Sequence, residues 1–402
     1  MSAISVSGSL GGVEKQIQFQ HKFKEYYLTA GVWIPVFCPA AEGHGGEQGA
    51  IMTEIADKLQ RTLDQAVDGK KVYGVTFRLK HKDFQWSGAS GNLAVDTPYF
   101  TASTTKLFTT ALVMRLRQQN KLGLDDRLTQ YFSPAILDGL HVYKGRDYSG
   151  EITIRNLLAH TSGIPDYFQG RDKNGASLDK ELFQGKDRHW TFEQAIELAK
   201  GIRPRFAPNT KGKALYSDTN FQLLGKIVEQ LYGKAFDACI KDQITGPLGM
   251  AGTYLYFNAA DTNPHHMYYK DREIHIPQAM TSFNADGGIV TITADILKFI
   301  EAFFAGAFFP TDYLAEMKVW NPIFFPLRAG VGIHLFKLPR IFDFINNLPE
   351  LYGHSGLSGA MAYCNPETGL YIAGTVNQIA YPSTSFQLAA KLIRNLAQAH
   401  IA

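Results

Sequence analysis

The sequence predicts an α+β protein: an antiparallel sheet built from both ends of the chain and flanked by helices, with an all-α lobe inserted between them. Three observations carry this. Strand-like alternation is confined to residues 72–89 and to the stretch after Gly287-Gly288. Residues 124 to about 250 show helical patterning with little strand signal. Amphipathic helices border the two strand regions, Ile51 to Val67 at the start and Phe386 to Leu396 at the end.

The 402 residues are 45% hydrophobic, enough for a large core in one big domain or two intimate ones. A formal net charge of +3 leaves no electrostatic footprint for nucleic acid. Cys38, Cys239 and Cys364 are far apart and odd in number, so neither a disulfide framework nor a zinc spacing is visible. Twenty-seven Phe and 19 Tyr suit a folded enzyme with an apolar cleft and exclude a disordered chain.

Residues 1–50 read apart from the rest. Lys22 and Lys24 precede an apolar stretch, Tyr26 to Ala41, and then the glycine-rich Glu42-Gly43-His44-Gly45-Gly46. Basic, apolar, small is the order of a secretory signal, and the stretch is too short to span a membrane as a helix. Glu25, Pro35, Pro39 and the polar lead from Met1 to Gly12 favour an irregular extension instead. Both readings stand, so the location is cytoplasmic, or exported and periplasmic if residues 22–50 act as a signal.

The helix Ile51 to Val67 places Met52, Ile55, Leu59, Leu63 and Ala66/Val67 on one face. Val72 to Leu79 and Phe84 to Ala89 read as a hairpin around His81-Lys82-Asp83. Leu107 to Leu122 is apolar-periodic. A short helix is expected from Gly123 to Leu128, and another at Ile154 to His160, stopped by Gly163 and Pro165. Gly170 to Gly185 reads as an exposed loop, and Phe192 to Lys200 and Phe221 to Leu231 as helices. Ile289 to Thr291 is a strand and Ala294 to Phe304 a helix. Gly330 to Leu335, Gly359 to Tyr363 and Leu370 to Asn377 are strands, the last two joined by the Asn365–Gly369 turn. The expected domain spans 51–398, with a sheet lobe at about 51–102 and 285–398 and an α lobe at about 103–284.

The chemistry centres on Phe100 to Leu107. Ser103 falls at the start of a helix and Lys106 one turn on, where residues three apart are neighbours. A serine needs an adjacent base to become a nucleophile, and a helix N-terminus favours the negative charge that develops there. A lysine held neutral by burial is one candidate base. Two further clusters lie in order along the chain: Tyr216-Ser217-Asp218 ahead of the helix at Phe221, and His354-Ser355-Gly356 ahead of a strand at Leu357 to Tyr363. Together they make an acyl-transfer set. Ser103 attacks a carbonyl, Lys106 and Tyr216 share the proton, and the N–H groups of Ser103 and Leu357 are candidate oxyanion donors.

These clusters resemble the penicillin-recognising serine hydrolases: class C β-lactamases, D-alanyl-D-alanine carboxypeptidases, D-amino-acid peptidases and family VIII carboxylesterases. The stretches Leu157 to Tyr167, Tyr216 to Phe221, Gly246-Pro247-Leu248-Gly249-Met250 and Gly287 to Val290 add to the likeness, which covers roughly residues 51–398. The resemblance implies a β-lactamase/transpeptidase-like fold with the cleft between its lobes and no metal. Two positions depart from its pattern. Asp218 stands where the motif has Asn, and an ionised Asp accepts but does not donate. It can instead hold Lys106 charged, which favours Tyr216 as base. His354 stands where the sister motif has Lys, a permanent cation that would grip a substrate carboxylate; histidine is only partly charged near neutrality.

The expectation is a serine hydrolase of esters or D-amino-acid-type amides acting through acyl-Ser103, with β-lactam hydrolysis a side activity at most. A class C-like β-lactamase and a non-catalytic binding protein on the same fold are the alternatives. The implied partner is a small ester, peptide or β-lactam, with no nucleic acid, no integral membrane span and no cofactor; the oligomeric state is left open. His160 reads as structural. His265-His266 lacks ligands at metal spacing. Gly-x-Ser-x-Gly, Walker and dinucleotide glycine patterns do not occur.

Overall fold

Both chain ends build one eight-stranded antiparallel sheet, as the distribution of alternating segments requires. The computed structural model describes residues 47–338 and 348–398. The chain divides at residue 50 into two units, and the fold below is that of the second. The signal-like stretch and Cys38 lie outside the described residues.

Helix α1, Glu47–Asp64, leads into strands β1, Gly74–His81, and β2, Phe84–Gly91. The remaining strands come from the other end of the chain: β3 (Asn321–Phe324), β4 (Leu327–Ala329), β5 (His334–Phe336), β6 (Leu351–Ser355), β7 (Ala360–Asn365) and β8 (Leu370–Thr375). Their order is β3-β4-β5-β6-β7-β8-β1-β2. The chain ends meet where Phe77 of β1 faces Gly374 of β8.

Alternation along the strands feeds two cores. Met361, Tyr363 and Ile372 point to the side where α1 and the closing helix α5, Ser383–Gln398, pack with Ile55, Leu59, Leu63, Leu388 and Leu392. Ala362, Cys364 and Ala373 point to the other side. There lie α2 (Thr105–Gln118), α3 (Asp218–Tyr232) and α4 (Thr293–Phe304). Helix α2 is buried almost all round, with Thr105, Lys106, Thr109 and Thr110 enclosed together with its apolar residues. Phe108 stacks on Phe299 of α4 at 3.9 Å.

Several expectations change. The strand Ile289–Thr291 joins a separate three-stranded sheet with Tyr99–Phe100 and Tyr254–Leu255, not the main one. Residues 170–185 hold a helix, Leu178–Phe183, because Leu178 and Leu182 are buried one turn apart. The helix expected at Gly123 is a turn followed by a 3-10 turn at Leu128–Gln130. The inserted segment also carries two short ribbons, Val142–Tyr143 with Arg146–Asp147 and Met267–Tyr269 with Arg272–Ile274. His354 and Ser355 end strand β6 as well as preceding β7, which begins at Ala360, so that Leu357 lies in the turn between the two. Strand β6 shows no alternation in the sequence because Leu351 to His354 are all buried. Among the described residues no helix is long and apolar enough to cross a membrane.

Candidate active site

The nucleophile is presented by a locked turn. Thr101 donates its N–H to Ile289 O at 2.9 Å, its hydroxyl meets that of Thr105 at 2.9 Å, and Ile289 N–H reaches Thr105 Oγ1 at 3.1 Å. Ala102 then adopts a φ of +44°, a left-handed conformation costing about 1–3 kcal/mol in a residue with a Cβ. A 3-10 turn, Ala102–Thr104, carries Ser103 onto the N-terminus of α2.

Lys106 is fully buried on the first turn of α2. Its Nζ lies 3.2 Å from Ser103 Oγ, 2.6 Å from Asp218 Oδ1 and 2.6 Å from the Asp286 carbonyl oxygen. These contacts account for the three N–H bonds of an ammonium. Burial pushes the Lys106 pKa down, but the charge of Asp218, 2.6 Å away, outweighs it and holds the group above the ordinary lysine range. The neutral-lysine reading therefore gives way to the charged one.

Tyr216 lines the cleft beside Asp218, in front of Lys106. Its ring centroid is 5.1 Å from Lys106 Nζ, and its hydroxyl is buried with no hydrogen bond of full geometry. Burial raises the phenol above its ordinary pKa, while Lys106 and the nearby Ser103 hydroxyl pull it down. The segment 160–167 holds this region in place. His160, itself at a φ of +56°, accepts the Ser217 N–H at Nδ1 (3.2 Å) and stacks on Tyr216 at 4.6 Å. The Pro165 carbonyl receives the Ser217 and Thr219 hydroxyls, and Asp166 Oδ1 receives the Asp218 N–H at 3.1 Å. His160 thus has a structural role, at the start of α3 rather than at the end of its own helix.

Two acids that carried no role in the sequence reading complete the buried charge cluster. Burial first, then the Asp218 charge, push Asp166 up to about 7 and Asp286 well above the carboxylate range. The Tyr167 hydroxyl lies 2.9 Å from Asp286 Oδ2. The Asp286 side chain and Asp166 are thus held toward their neutral forms, and Asp218 supplies the counter-charge to Lys106. Asp286 sits just ahead of Gly287-Gly288, a stretch of the resemblance that assigns the acid no role.

The third cluster approaches Ser103 through main chain. Ser358 Oγ donates to Phe100 O at 2.7 Å, and a Cβ on Gly356 would meet Thr101 O at 2.1 Å. Only glycine permits that contact. The turn is closed by Gly356 N–H to Ala360 O (2.8 Å) and Gly359 N–H to Gly356 O (3.0 Å), bonds that leave the Leu357 N–H uncommitted. His354 is corrected. It is 1% exposed, and burial, with His334 and the Lys106 charge, drives its pKa well below the ordinary value. It is a neutral imidazole, not a partial cation.

Ser103, Tyr216, Asp218, Ser355, Gly356 and Leu357 line one cleft of about 710 Å³. Lys106 and His354 lie behind its wall. Phe183, from the segment 170–185, and Met267 and Ile276, from the segment 258–277, line the cleft as well. The hairpin at Phe324-Phe325 was not foreseen. Phe325 is 76% exposed at the cleft, and Phe324 packs 5.5 Å from Tyr216. Among the described residues no three His, Cys, Asp or Glu side chains are grouped to hold a metal.

The family model described as Beta-lactamase matches residues 59–398. The chain belongs to the Beta-lactamase family. It is 25% identical over 224 residues to the D-alanyl-D-alanine-carboxypeptidase/endopeptidase AmpH of Escherichia coli (strain K12), covering 55% of this chain and 53% of that protein. The chain spans about half the length of the first curated relatives it matches. Among solved structures, a D-stereospecific amidohydrolase from Streptomyces sp. superposes with a TM-score of 0.70 at 24% identity, over 84% of this chain and 97% of that one. EstCE1, described as a hydrolase with promiscuous acyltransferase activity, gives 0.71 at 18% identity over 85% and 99%. These likenesses show the β-lactamase-type fold, and the site described above sits in its cleft.

Proposed function

We propose that this chain is a serine hydrolase that cleaves esters or D-amino-acid-type amides through an acyl intermediate on Ser103, with β-lactam hydrolysis a side activity at most. The observation that carries the reading is Lys106, held 3.2 Å from Ser103 Oγ and 2.6 Å from Asp218. Ser103 attacks the substrate carbonyl and gives its proton to the Tyr216 oxygen, whose basic form the Lys106 ammonium stabilises. The carbonyl oxygen, now negative, is received by the N–H groups of Ser103 and Leu357. Tyr216 returns the proton to the leaving alcohol or amine, and water releases the acid by the reverse sequence.

The apolar lining, including Phe168, Phe283, Phe324 and Phe325, supports an uncharged substrate with a hydrophobic group. The family and the kinds of relatives it groups support an enzyme of this class. The test is hydrolysis of p-nitrophenyl butyrate with a burst of p-nitrophenol, abolished in Ser103→Ala. A Ser103→Ala protein as fast as the parent removes the proposal. Rapid loss of benzylpenicillin without a lasting adduct supports the β-lactamase alternative.

A further inference from the structure

The cleft is longer than the steps above require. Past Ser103 and the Leu357 turn it continues as an arm between the sheet and α5. The sheet side is given by His334 and Phe336, alternate residues on one face of β5, and by Leu327 of β4, which pairs with Phe336. The other side is given by Phe386, Ala390 and Arg394, spaced four apart and so on one face of α5. Phe336 and Phe386 join the two sides, with ring centroids 4.8 Å apart. Phe386 also packs 5.8 Å from Tyr363, a neighbour of Ser355. The N-terminal end of α5 is therefore the end nearer the nucleophile.

The chemistry of this arm selects its occupant. Strand β5 is paired on both edges, with β4 and with β6, so its N–H and C=O groups are taken up in the ladders. An extended peptide laid along the arm would find no backbone partner there, and burying its amides unpaired is costly. An alkyl chain makes no such demand and gains by leaving water. Among the described residues, the acids lining the cleft are Asp218 and Asp286, both gathered at Lys106 and Ser103 and away from the arm. Ala390 is 6% exposed yet is part of neither hydrophobic core, so its methyl faces the arm and leaves room that a larger side chain would take. From Phe386 to Arg394 the helix rises about 12 Å. A C–C bond of about 1.52 Å advances an extended chain by about 1.25 Å per carbon, so about ten carbons fill that length. Beyond it the lining turns cationic, with Lys391 and Arg394.

We infer that the arm between β5 and α5 takes a linear alkyl chain of that length, so that the substrate of Ser103 is an ester or amide carrying a fatty chain, and that Ala390 is a specificity-determining residue that sets how much of the chain is held. The inference rests on the acyl-Ser103 reading and names the substrate class for it.

The experiment compares two ester series, each held below the concentration at which the ester aggregates. One is the p-nitrophenyl esters of butyric, octanoic and dodecanoic acids. The other is the butyrates of butanol, octanol and dodecanol, so that the chain is offered on either side of the scissile bond. A methylene taken fully out of water is worth up to about 4-fold, so kcat/KM is expected to rise at least about 100-fold from the shortest to the longest member of one series or both. Ala390→Phe, which fills the arm, cuts that rise at least about 10-fold. Gln387→Trp, which reaches the arm from an exposed position on α5, cuts it at least about 3-fold and carries the test if the first variant does not fold. A rise of less than about 10-fold in both series, with p-nitrophenyl butyrate still hydrolysed through Ser103, overturns the inference and leaves the acyl-Ser103 reading in place. A full rise kept in the folded variants also overturns it, and would assign the chain to the side of the cleft lined by Phe183, Met267 and Ile276. Failure to hydrolyse any ester of either series overturns both.

Discussion

Replacing Gly356 with alanine tests the geometry on which the oxyanion assignment depends. The new Cβ would lie 2.1 Å from the Thr101 carbonyl oxygen, 3.1 Å from its carbon and 3.0 Å from the Ala102 Cβ. Nonbonded heavy atoms sit comfortably near about 3.5 Å, so more than about 1 Å of separation has to be made. The obstructing Thr101 main chain is pinned by its 2.9 Å bond to Ile289, so the movement falls on the turn that carries the Leu357 N–H. A misplacement of that size costs about 100-fold in rate, in line with the loss of one oxyanion donor. The expected result is a fall of about 100-fold in kcat for p-nitrophenyl butyrate with little change in KM, and about 1–3 kcal/mol of lost stability from overpacking. Urea unfolding separates the two effects. Ile55→Val, in the core on the far side of the sheet, costs about 0.5–1.5 kcal/mol and leaves kcat unchanged. A folded Gly356→Ala protein with kcat within about 3-fold of the parent would refute the reasoning.

Three further outcomes follow from the same site. Tyr216→Phe loses about 100-fold or more in kcat/KM. Because burial holds the phenol above its ordinary pKa, the parent's kcat/KM rises with pH above neutrality while the variant's profile is flat, as a pH-rate series would read. His160→Leu removes the acceptor of the Ser217 N–H and the stacking partner of Tyr216. It lowers stability by about 1–3 kcal/mol for the unpaired donor and cuts kcat more than it changes KM. Asp166 has a folded pKa of about 7, above its unfolded value, so the native state binds the extra proton between those values and stability falls as pH rises from about 4 to about 7. Asp166→Asn flattens that slope in denaturant titrations across the range, and an unchanged slope counts against the buried acid cluster.

What could be read from the sequence was whatever is local. Ser103 and Lys106 are one helical turn apart, and the helices at Phe192–Lys200 and Thr293–Phe304 carry their own apolar periodicity and so matched closely. The sheet's two-ended construction was legible because Val75, Phe77 and Leu79 alternate in β1 and because turn residues at 81–83 and 365–369 mark the β1–β2 and β7–β8 hairpins. Strands β3, β4 and β6 were not. Asn321 to Ala329 is short and polar-aromatic, and β6 is buried on both faces, so neither shows period two. The protonation states were out of reach for a different reason. Lys106 is charged because Asp218, 112 positions later, lies 2.6 Å away, and His354 is neutral because β5 and α2 close over it. The same distance in sequence hid His334, Asp166 and Asp286, whose roles exist only once the elements pack.

The most direct test of the central claim is a rapid acid quench within the first turnover of p-nitrophenyl butyrate, followed by intact-mass measurement and peptide mapping. The acyl-serine account predicts one butyryl group, confined to the peptide containing Ser103, appearing with the p-nitrophenol burst and absent from Ser103→Ala. Substrate turned over in that interval with the Ser103 peptide unmodified throughout, or with the butyryl group on another side chain, would contradict it.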